Sequence, residues 1–270
     1  MRGRPRPSQD DDLNECSMMK KMNCIGLITL LFVMGSSARA ADGPLIISGS
    51  TTFQKRILEP AQAAVEKKTG TKLEIRGVGT INGLKELIKG EAAAAMVSAP
   101  LDIAFQETGV PEEGTYQEHV ILKDVIVPIV HPTNPVKSLT GEQLAGIIGG
   151  KIANWKTVGG PDERIVVVVP PRSSGTRKFL QETVMNSGNF DKSVFTAVTT
   201  REEIDLVAQS PLAIGVLSEG FVKMNPGKVK VVKSKLITRQ LSIITKGEPS
   251  REILAVINFL KSAAAKKYFK

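Results

Sequence analysis

Cysteine is almost missing from this chain: Cys16 and Cys24 are the only two, and both fall within the first 40 residues. The remaining 230 residues can therefore form no disulfide, offer no thiol nucleophile and bind no Cys-ligated metal. Histidine is equally scarce, with His119 and His131 alone, and neither sits near a hydroxyl nucleophile in a recognisable pattern. No H-E-x-x-H or G-x-S-x-G occurs, which removes the usual metalloprotease and serine-hydrolase signatures. The adjacent acids Glu112-Glu113 and Glu202-Glu203 lie in a loop and at a helix start, where they serve solvation or the helix dipole; paired-carboxylate catalysis lacks a partner group. Nucleotide binding fares no better, because no G-x-x-x-x-G-K-[ST] exists and Gly77, Gly79 and Gly83 are spaced one residue too far for G-x-G-x-x-G. Aromatic residues make up only 4% of the chain and its lysines are scattered, so the net charge of +9 forms no nucleic-acid patch and reads as a basic solvated surface. No enzyme class and no cofactor is indicated.

A long apolar run is also missing. The stretch from Ile25 to Met34 falls short of the about 20 residues a membrane span needs. It follows Met19-Lys20-Lys21 and precedes Ala38-Arg39-Ala40, which makes a basic region, an apolar region and an A-x-A cleavage site. A secreted or periplasmic protein cut after Ala40 is expected, with a start at Met18, Met19 or Met22, since the acidic Asp10-Asp11-Asp12 does not suit a signal peptide. Cys24 precedes the apolar run, where a lipid-anchored cysteine would follow it. The segment after Ala40 keeps 30 Lys/Arg against 23 Asp/Glu, a net +7.

What the chain does have is a repeated strand, turn, helix alternation, which predicts an α/β fold of mostly parallel sheets flanked by helices. Leu45-Ile46-Ile47 reads as a strand before a helix from about Phe53 to Lys68, broken at Pro60. Leu73-Glu74-Ile75 and Ala92 to Val97 read as further strands, the second ending at Ser98. Ile165 to Val169 is β-branched throughout, a strand buried on both faces. Thr140 with Gln143 forms a capping box, and Thr200 with Glu203 caps another helix. Ala213 to Leu217 and Leu241 to Thr245 are late strands before an amphipathic helix from Arg251 to Leu260.

Three strand-to-helix turns carry glycine and hydroxyl residues together. They are Ser48-Gly49-Ser50-Thr51-Thr52-Phe53, Gly77-Val78-Gly79-Thr80-Ile81-Asn82-Gly83, and Arg172-Ser173-Ser174-Gly175-Thr176-Arg177. Helix starts present unpaired N–H groups and the positive end of a dipole, and hydroxyls add donors without bulk, so such turns suit a tetrahedral oxyanion. Any one alone is met by ordinary N-capping; three, each after a strand, point to one small anion. The first two precede the apolar strand Asp124 to Val130, with Pro128 inside it, and the third follows. A ligand held by all three would bridge two lobes and drive hinge closure. The expected boundaries are 43–126 with 236–270 for one lobe and 127–235 for the other.

These turns, in this order, resemble the periplasmic phosphate-binding proteins of ABC importers, within the type II periplasmic binding protein group. Leu139-Thr140-Gly141-Glu142-Gln143-Leu144, Gly150-Lys151-Ile152 with Asn154-Trp155, Ser174-Gly175-Thr176-Arg177 with Phe179, and Ala213-Ile214-Gly215-Val216 carry the same likeness over nearly the whole mature chain. The resemblance implies two lobes joined by a two-segment hinge, a monomer that is not membrane-embedded, and delivery of phosphate or a similar oxyanion to permease subunits. It places Thr52, Phe53, Thr80, Ser174, Gly175 and Thr176 at the ligand, and Ser50, Thr51 and Ser98 are further candidates at the same strand ends. Two departures stand out. The family's Ser-Asp is Ser98-Ala99 here, so the carboxylate that accepts the proton of hydrogen phosphate is missing, and Asp102 is the acid that could reach back. The family's arginine falls at Pro170, leaving Arg172 or Arg177 to carry the charge. Losing the acceptor weakens discrimination between phosphate and sulfate. An exported anion sensor or adhesion protein on the same fold, and a periplasmic phosphatase, are the alternative functions.

Overall fold

The computed structural model describes residues 43–109 and 115–270. The expected signal segment, both cysteines, the cut after Ala40 and the pair Glu112-Glu113 lie outside the described residues. Strand β1 (Leu45–Gly49) leads into a helical run made of α1 (Thr51–Phe53), a π-helical segment (Gln54–Leu58) and α2 (Glu59–Thr69). The expected break at Pro60 is not there: the proline sits in the first turn of α2, directly after the π segment. Proline has no N–H to give to the carbonyl four residues back, that of Arg56. The freed carbonyl accepts instead from the Lys270 N–H at 2.9 Å.

The chain continues through β2 (Leu73–Arg76), α3 (Thr80–Lys89), β3 (Ala94–Val97), α4 (Leu101–Gln106), β4 (Tyr116–Val130) and α5 (Gly141–Ile148). Next come β5 (Val166–Val169), α6 (Gly175–Thr183), β6 (Phe195–Thr196), α7 (Thr200–Gln209), β7 (Ala213–Ser218) and α8 (Glu219–Lys223). It ends with β8 (Lys230–Val231), β9 (Ile237–Lys246), α9 (Arg251–Lys261) and α10 (Ala263–Lys266).

The strands join in the order β2-β1-β3-β9-β4-β7-β5-β6, with β8 paired to β4 off this path. Within one lobe β2, β1 and β3 are parallel, and within the other β7, β5 and β6 are parallel. The junction is antiparallel: β3 pairs β9, β9 pairs β4, and β4 pairs β7. The long strand β4 changes partner at Ile126, which pairs with Ile237 of β9 on one side and Ser218 of β7 on the other. Two long strands, β4 and β9, thus connect the lobes.

Each lobe is buried on both faces of its strands, which is why the strand runs are continuously apolar rather than alternating. Ile47, Phe53, Ile57, Met96, Ile243 and Val256 form one cluster and Leu84, Val97, Phe105 and Ile244 another. The second lobe repeats this with Leu144, Ile147, Trp155 and Phe179, then Ile129, Ile204, Val207 and Leu217. Trp155 is fully buried, as expected of a packing residue, and its indole N–H donates to the Leu212 carbonyl at 2.9 Å. No helix among the described residues is long and apolar enough to cross a membrane.

Candidate functional site

Four helix starts face one cavity of about 180 Å³, several times the ~30 Å³ that a water molecule occupies in the liquid. From the first lobe it is lined by Ser50, Thr51 and Thr52 at α1, by Gly77, Val78, Gly79 and Thr80 at α3, and by Ser98 after β3. The second lobe contributes Pro171, Ser173, Ser174 and Gly175 at α6, and Val198, Thr199 and Thr200 at α7. The first N–H groups of a helix have no partner within it, so each start directs donors and a positive dipole end at its own mouth. No ionisable side chain is among these lining residues.

Local hydrogen bonds hold each start in shape. The Ser50 hydroxyl accepts from the Phe53 N–H at 3.3 Å, and the Ser174 hydroxyl from the Thr176 N–H at 3.1 Å. Thr80 and Ser98 share a hydroxyl contact of 3.2 Å, and the Ser98 N–H donates to Thr80 Oγ1 at 3.3 Å. Gly79 caps α3 at a φ of 89°, a left-handed conformation that glycine adopts without a Cβ penalty.

The two lobes touch across the cavity. The Ile81 N–H donates to the Ser173 carbonyl at 3.2 Å, and the Thr51 and Thr200 hydroxyls lie 3.2 Å apart. Glycine makes the closest approach possible: a Cβ on Gly175 would stand 2.6 Å from Thr80 Oγ1 and 2.7 Å from Ser98 Oγ. On the second-lobe side, Lys178 Nζ pairs with Glu107 of the first lobe at 2.5 Å.

Ser50, Thr51, Thr52, Thr80, Ser98, Ser174 and Gly175 are brought together as lining residues. Phe53 sends its ring into the core and offers only its backbone N–H, already bonded to Ser50. Thr176 is buried with its hydroxyl turned to Arg239 Nη1 at 2.5 Å. Arg172 and Arg177 are not brought to the cavity. They line a separate groove of about 430 Å³ with Glu107, Lys178, Phe190 and Lys192. There Arg177 stacks over the Phe190 ring at 4.3 Å and donates to the Pro170 carbonyl at 2.9 Å. Burial, and then the neighbouring Arg172, hold its guanidinium below its ordinary pKa. Asp102 is exposed in the first turn of α4 and does not reach back, and Ala99 packs in the apolar cluster with Leu84 and Ala104.

Sequence reasoning missed two features. The α7 cap is Thr199, whose hydroxyl accepts from the Glu202 N–H at 3.1 Å, and not Thr200. Thr200 is thereby freed to line the cavity, and Glu203, expected among solvated acids, is fully buried. Its Oε1 accepts from the Val216 N–H at 3.0 Å, Oε2 has no partner, and burial pushes its carboxyl up to about 8. The second missed feature is the buried group Arg56, Asp124 and Arg239, where the Asp124 carboxylate pairs with both guanidiniums. Its signal was a charge at the head of each of two apolar runs, Asp124 directly before Val125-Ile126-Val127 and Arg239 two residues before Leu241-Ser242-Ile243.

Comparison with known proteins shows the family and the fold. The phosphate-binding protein PstS of Bacillus subtilis is 26% identical over 239 residues, 84% of this chain and 78% of that protein. A structure titled as a putative phosphate ABC transporter substrate-binding protein with bound phosphate, from Clostridium perfringens, aligns at a TM-score of 0.74 with 28% identity, over 84% of this chain and 96% of that one. An ABC-type phosphate transport receptor from Vibrio cholerae aligns at 0.65 with 29% identity, over 83% and 96%. A family model described as a PBP superfamily domain matches residues 35–268, and with a two-lobed α/β sheet and an interlobe cavity the chain belongs to that superfamily, with the type II periplasmic-binding fold.

Proposed function

We propose that this protein captures inorganic phosphate, or a similar tetrahedral oxyanion, between its two lobes and hands it to the permease subunits of an ABC importer. The observation that carries the reading is the convergence of four helix starts, two from each lobe, on a single cavity lined by hydroxyls and backbone. Such a lining binds an oxyanion by N–H and O–H donation and makes or breaks no bond. The relatives named for phosphate binding support the choice of ligand, and the Clostridium perfringens structure pairs that fold with bound phosphate. In this reading Ser50, Thr51, Thr52, Thr80, Ser98, Ser174 and Gly175 contact the anion, and Thr199 and Thr200 join them.

The lobes divide at 43–126 with 236–270 and at 127–235, and β4 and β9 serve as the hinge; the change of strand partner at Ile126 supports this division. The protein works as a monomer outside the cytoplasmic membrane after cleavage following Ala40. Among the described residues no carboxylate lines the cavity, so hydrogen phosphate finds hydroxyl and backbone-carbonyl acceptors for its proton, and selectivity over sulfate is correspondingly low.

Titration calorimetry with phosphate, sulfate and molybdate tests the reading. Binding of phosphate, with sulfate less than about tenfold weaker, is the expected result, about tenfold corresponding to 1.4 kcal/mol. Silence with all three anions would remove the ligand assignment.

A further inference from the structure

A dianion withdrawn from water into a cavity with no charged lining needs a compensating charge nearby. The structure holds one a single layer deeper. Arg239, on β9, is 4% exposed. Its Nη1 donates to the Ser98 carbonyl at 3.0 Å and to Thr176 Oγ1 at 2.5 Å. Its Nε and Nη2 both donate to Asp124 Oδ2 at 3.0 Å. A guanidinium has five N–H donors, and these bonds use four of them in one fixed fork. Asp124, on β4, gives its other oxygen to Arg56 Nη1 and to the Ser218 hydroxyl. Two guanidiniums share this carboxylate, and Arg56 also donates its Nε to an oxygen of Lys270 at 2.7 Å; the nitrogen of Arg239 turned away from Asp124 is Nη1, the one bonded to Ser98 and Thr176.

The other acid facing this group is Glu203 on α7, which interacts electrostatically with Arg239. With its carboxyl held near 8 it is protonated at neutral pH, and it cancels nothing. Burial lowers the pKa of Arg239 and Asp124 raises it, yet a guanidinium stays protonated in proteins.

The bonds also have a direction. Ser98 belongs to the first lobe and lines the cavity, whereas Thr176 stands in the first turn of α6 in the second, next to the lining residue Gly175. One side chain from the hinge therefore grips both jaws, and the bond to Thr176 exists only while the lobes are together. We propose that Arg239 is the charge source and positioning residue of the oxyanion site, acting through Thr176 and Ser98 and latching the closed form. This inference rests on the oxyanion reading of the cavity.

The test is calorimetric titration of the purified protein with inorganic phosphate, using wild type, Arg239→Met, Arg239→Lys, Thr176→Val and the Arg239→Met/Thr176→Val double variant, with thermal unfolding of each ligand-free protein alongside. Truncating one partner of a buried, hydrogen-bonded charge pair predicts about a 100-fold loss of affinity for Arg239→Met. Arg239→Lys, which keeps the charge without the fork, recovers about tenfold of that loss. Thr176→Val costs about tenfold, and the double variant binds no worse than Arg239→Met alone, because the two groups act as one unit. The Met and Lys variants should unfold at similar temperatures, so a purely structural role would not separate their affinities.

Arg239→Met binding phosphate within about twofold of wild type, or a double variant whose loss is the product of the two single losses, overturns the inference while leaving the oxyanion reading intact. Should Arg239→Met not fold, the Lys and Thr176→Val variants decide: equal affinity to wild type in both overturns it. A wild-type protein that binds neither phosphate nor sulfate overturns the oxyanion reading and this inference with it.

Discussion

Two groups of cations flank the cavity, and they are built in opposite ways. Arg172, Arg177, Lys178 and Lys192 of the second lobe line an open groove, with Glu107 of the first lobe as its acid. Arg239, on the hinge strand β9, and Arg56, on the π-helical segment, are buried and bound to Asp124. The groove holds more charge, but much of that charge is in contact with water, where salt screens it over about 8 Å. The hinge holds less, in a place where the effective dielectric is low and a forked pair fixes each nitrogen. Proximity in sequence to the S-G-T turn favours the groove, whereas bonds to the cavity-forming residues favour the hinge. Burial and geometry decide between them, and the number of charges does not.

The sharpest way to break this contrast is to remove the acid between the two hinge arginines. Asp124→Asn leaves Arg239 beside Arg56 without its counter-ion, and removing one partner of a buried ion pair costs about 3–5 kcal/mol. Denaturant unfolding of the ligand-free protein should show a loss of that size. A loss under about 1 kcal/mol is the value of an exposed pair and would place the hinge cluster in the same class as the groove.

Glu203 offers a second separation, since the contrast assigns its carboxyl no charge at neutral pH. Burial pushes its carboxyl up to about 8 from the ordinary 4.5, so between these values the folded state holds a proton that the unfolded state has released. Stability then falls as pH rises through this window and has lost the full contribution above about pH 8. Glu203→Gln cannot titrate, and its advantage over wild type should grow from near zero at about pH 4.5 to on the order of 4–5 kcal/mol at pH 9. Unfolding free energies of the two proteins measured across this range, compared at each pH, cancel other titrating groups such as His119. A constant difference would mean that Glu203 is charged in the folded protein and offsets the hinge.

Closure itself can be separated from charge. Adding a methyl group at Gly175 places a carbon 2.6 Å from Thr80 Oγ1 across the lobes, a contact that exists only when they meet. Gly175→Ala should lower phosphate affinity about 30-fold, about 2 kcal/mol, with no change in ligand-free unfolding temperature. Equal losses of affinity and stability would show that the methyl group disturbs α6 within its own lobe.

Much of this architecture was legible in the sequence because each signal was local. Leu45 to Gly49, Val166 to Val169 and Ala213 to Ser218 are short apolar runs, each followed within five residues by a serine cap or ending in one, and Thr140 with Gln143 forms the expected box. The hydroxyl turns were legible for the same reason, since a cap is written within four residues. Arg239 was not, because its meaning depends on Asp124, Ser98 and Thr176, which meet only after β4 and β9 pair and the lobes come together. Thr200 was missed through a shift of one position: two adjacent threonines could each cap α7, and the side-chain bond goes to Thr199. The helix break expected at Pro60 failed because its orphaned carbonyl is satisfied by Lys270, a partner 214 residues from Arg56.

The smallest effect is expected in the groove. Arg172 carries charge on the loop that lines the cavity, yet it points into the groove with Arg177 and Lys192. Arg172→Ala should therefore change the equilibrium affinity for phosphate by less than about twofold at physiological salt, where exposed charges beyond about 8 Å are screened. Its field still reaches an approaching anion at low ionic strength, so the association rate should fall a few-fold there and converge on wild type as salt is added. Stopped-flow association at low and high salt, set beside the calorimetric constant, separates these effects. A tenfold loss of affinity that persists in high salt would move the working charge from the hinge to the groove, because only a desolvated contact with the anion survives screening.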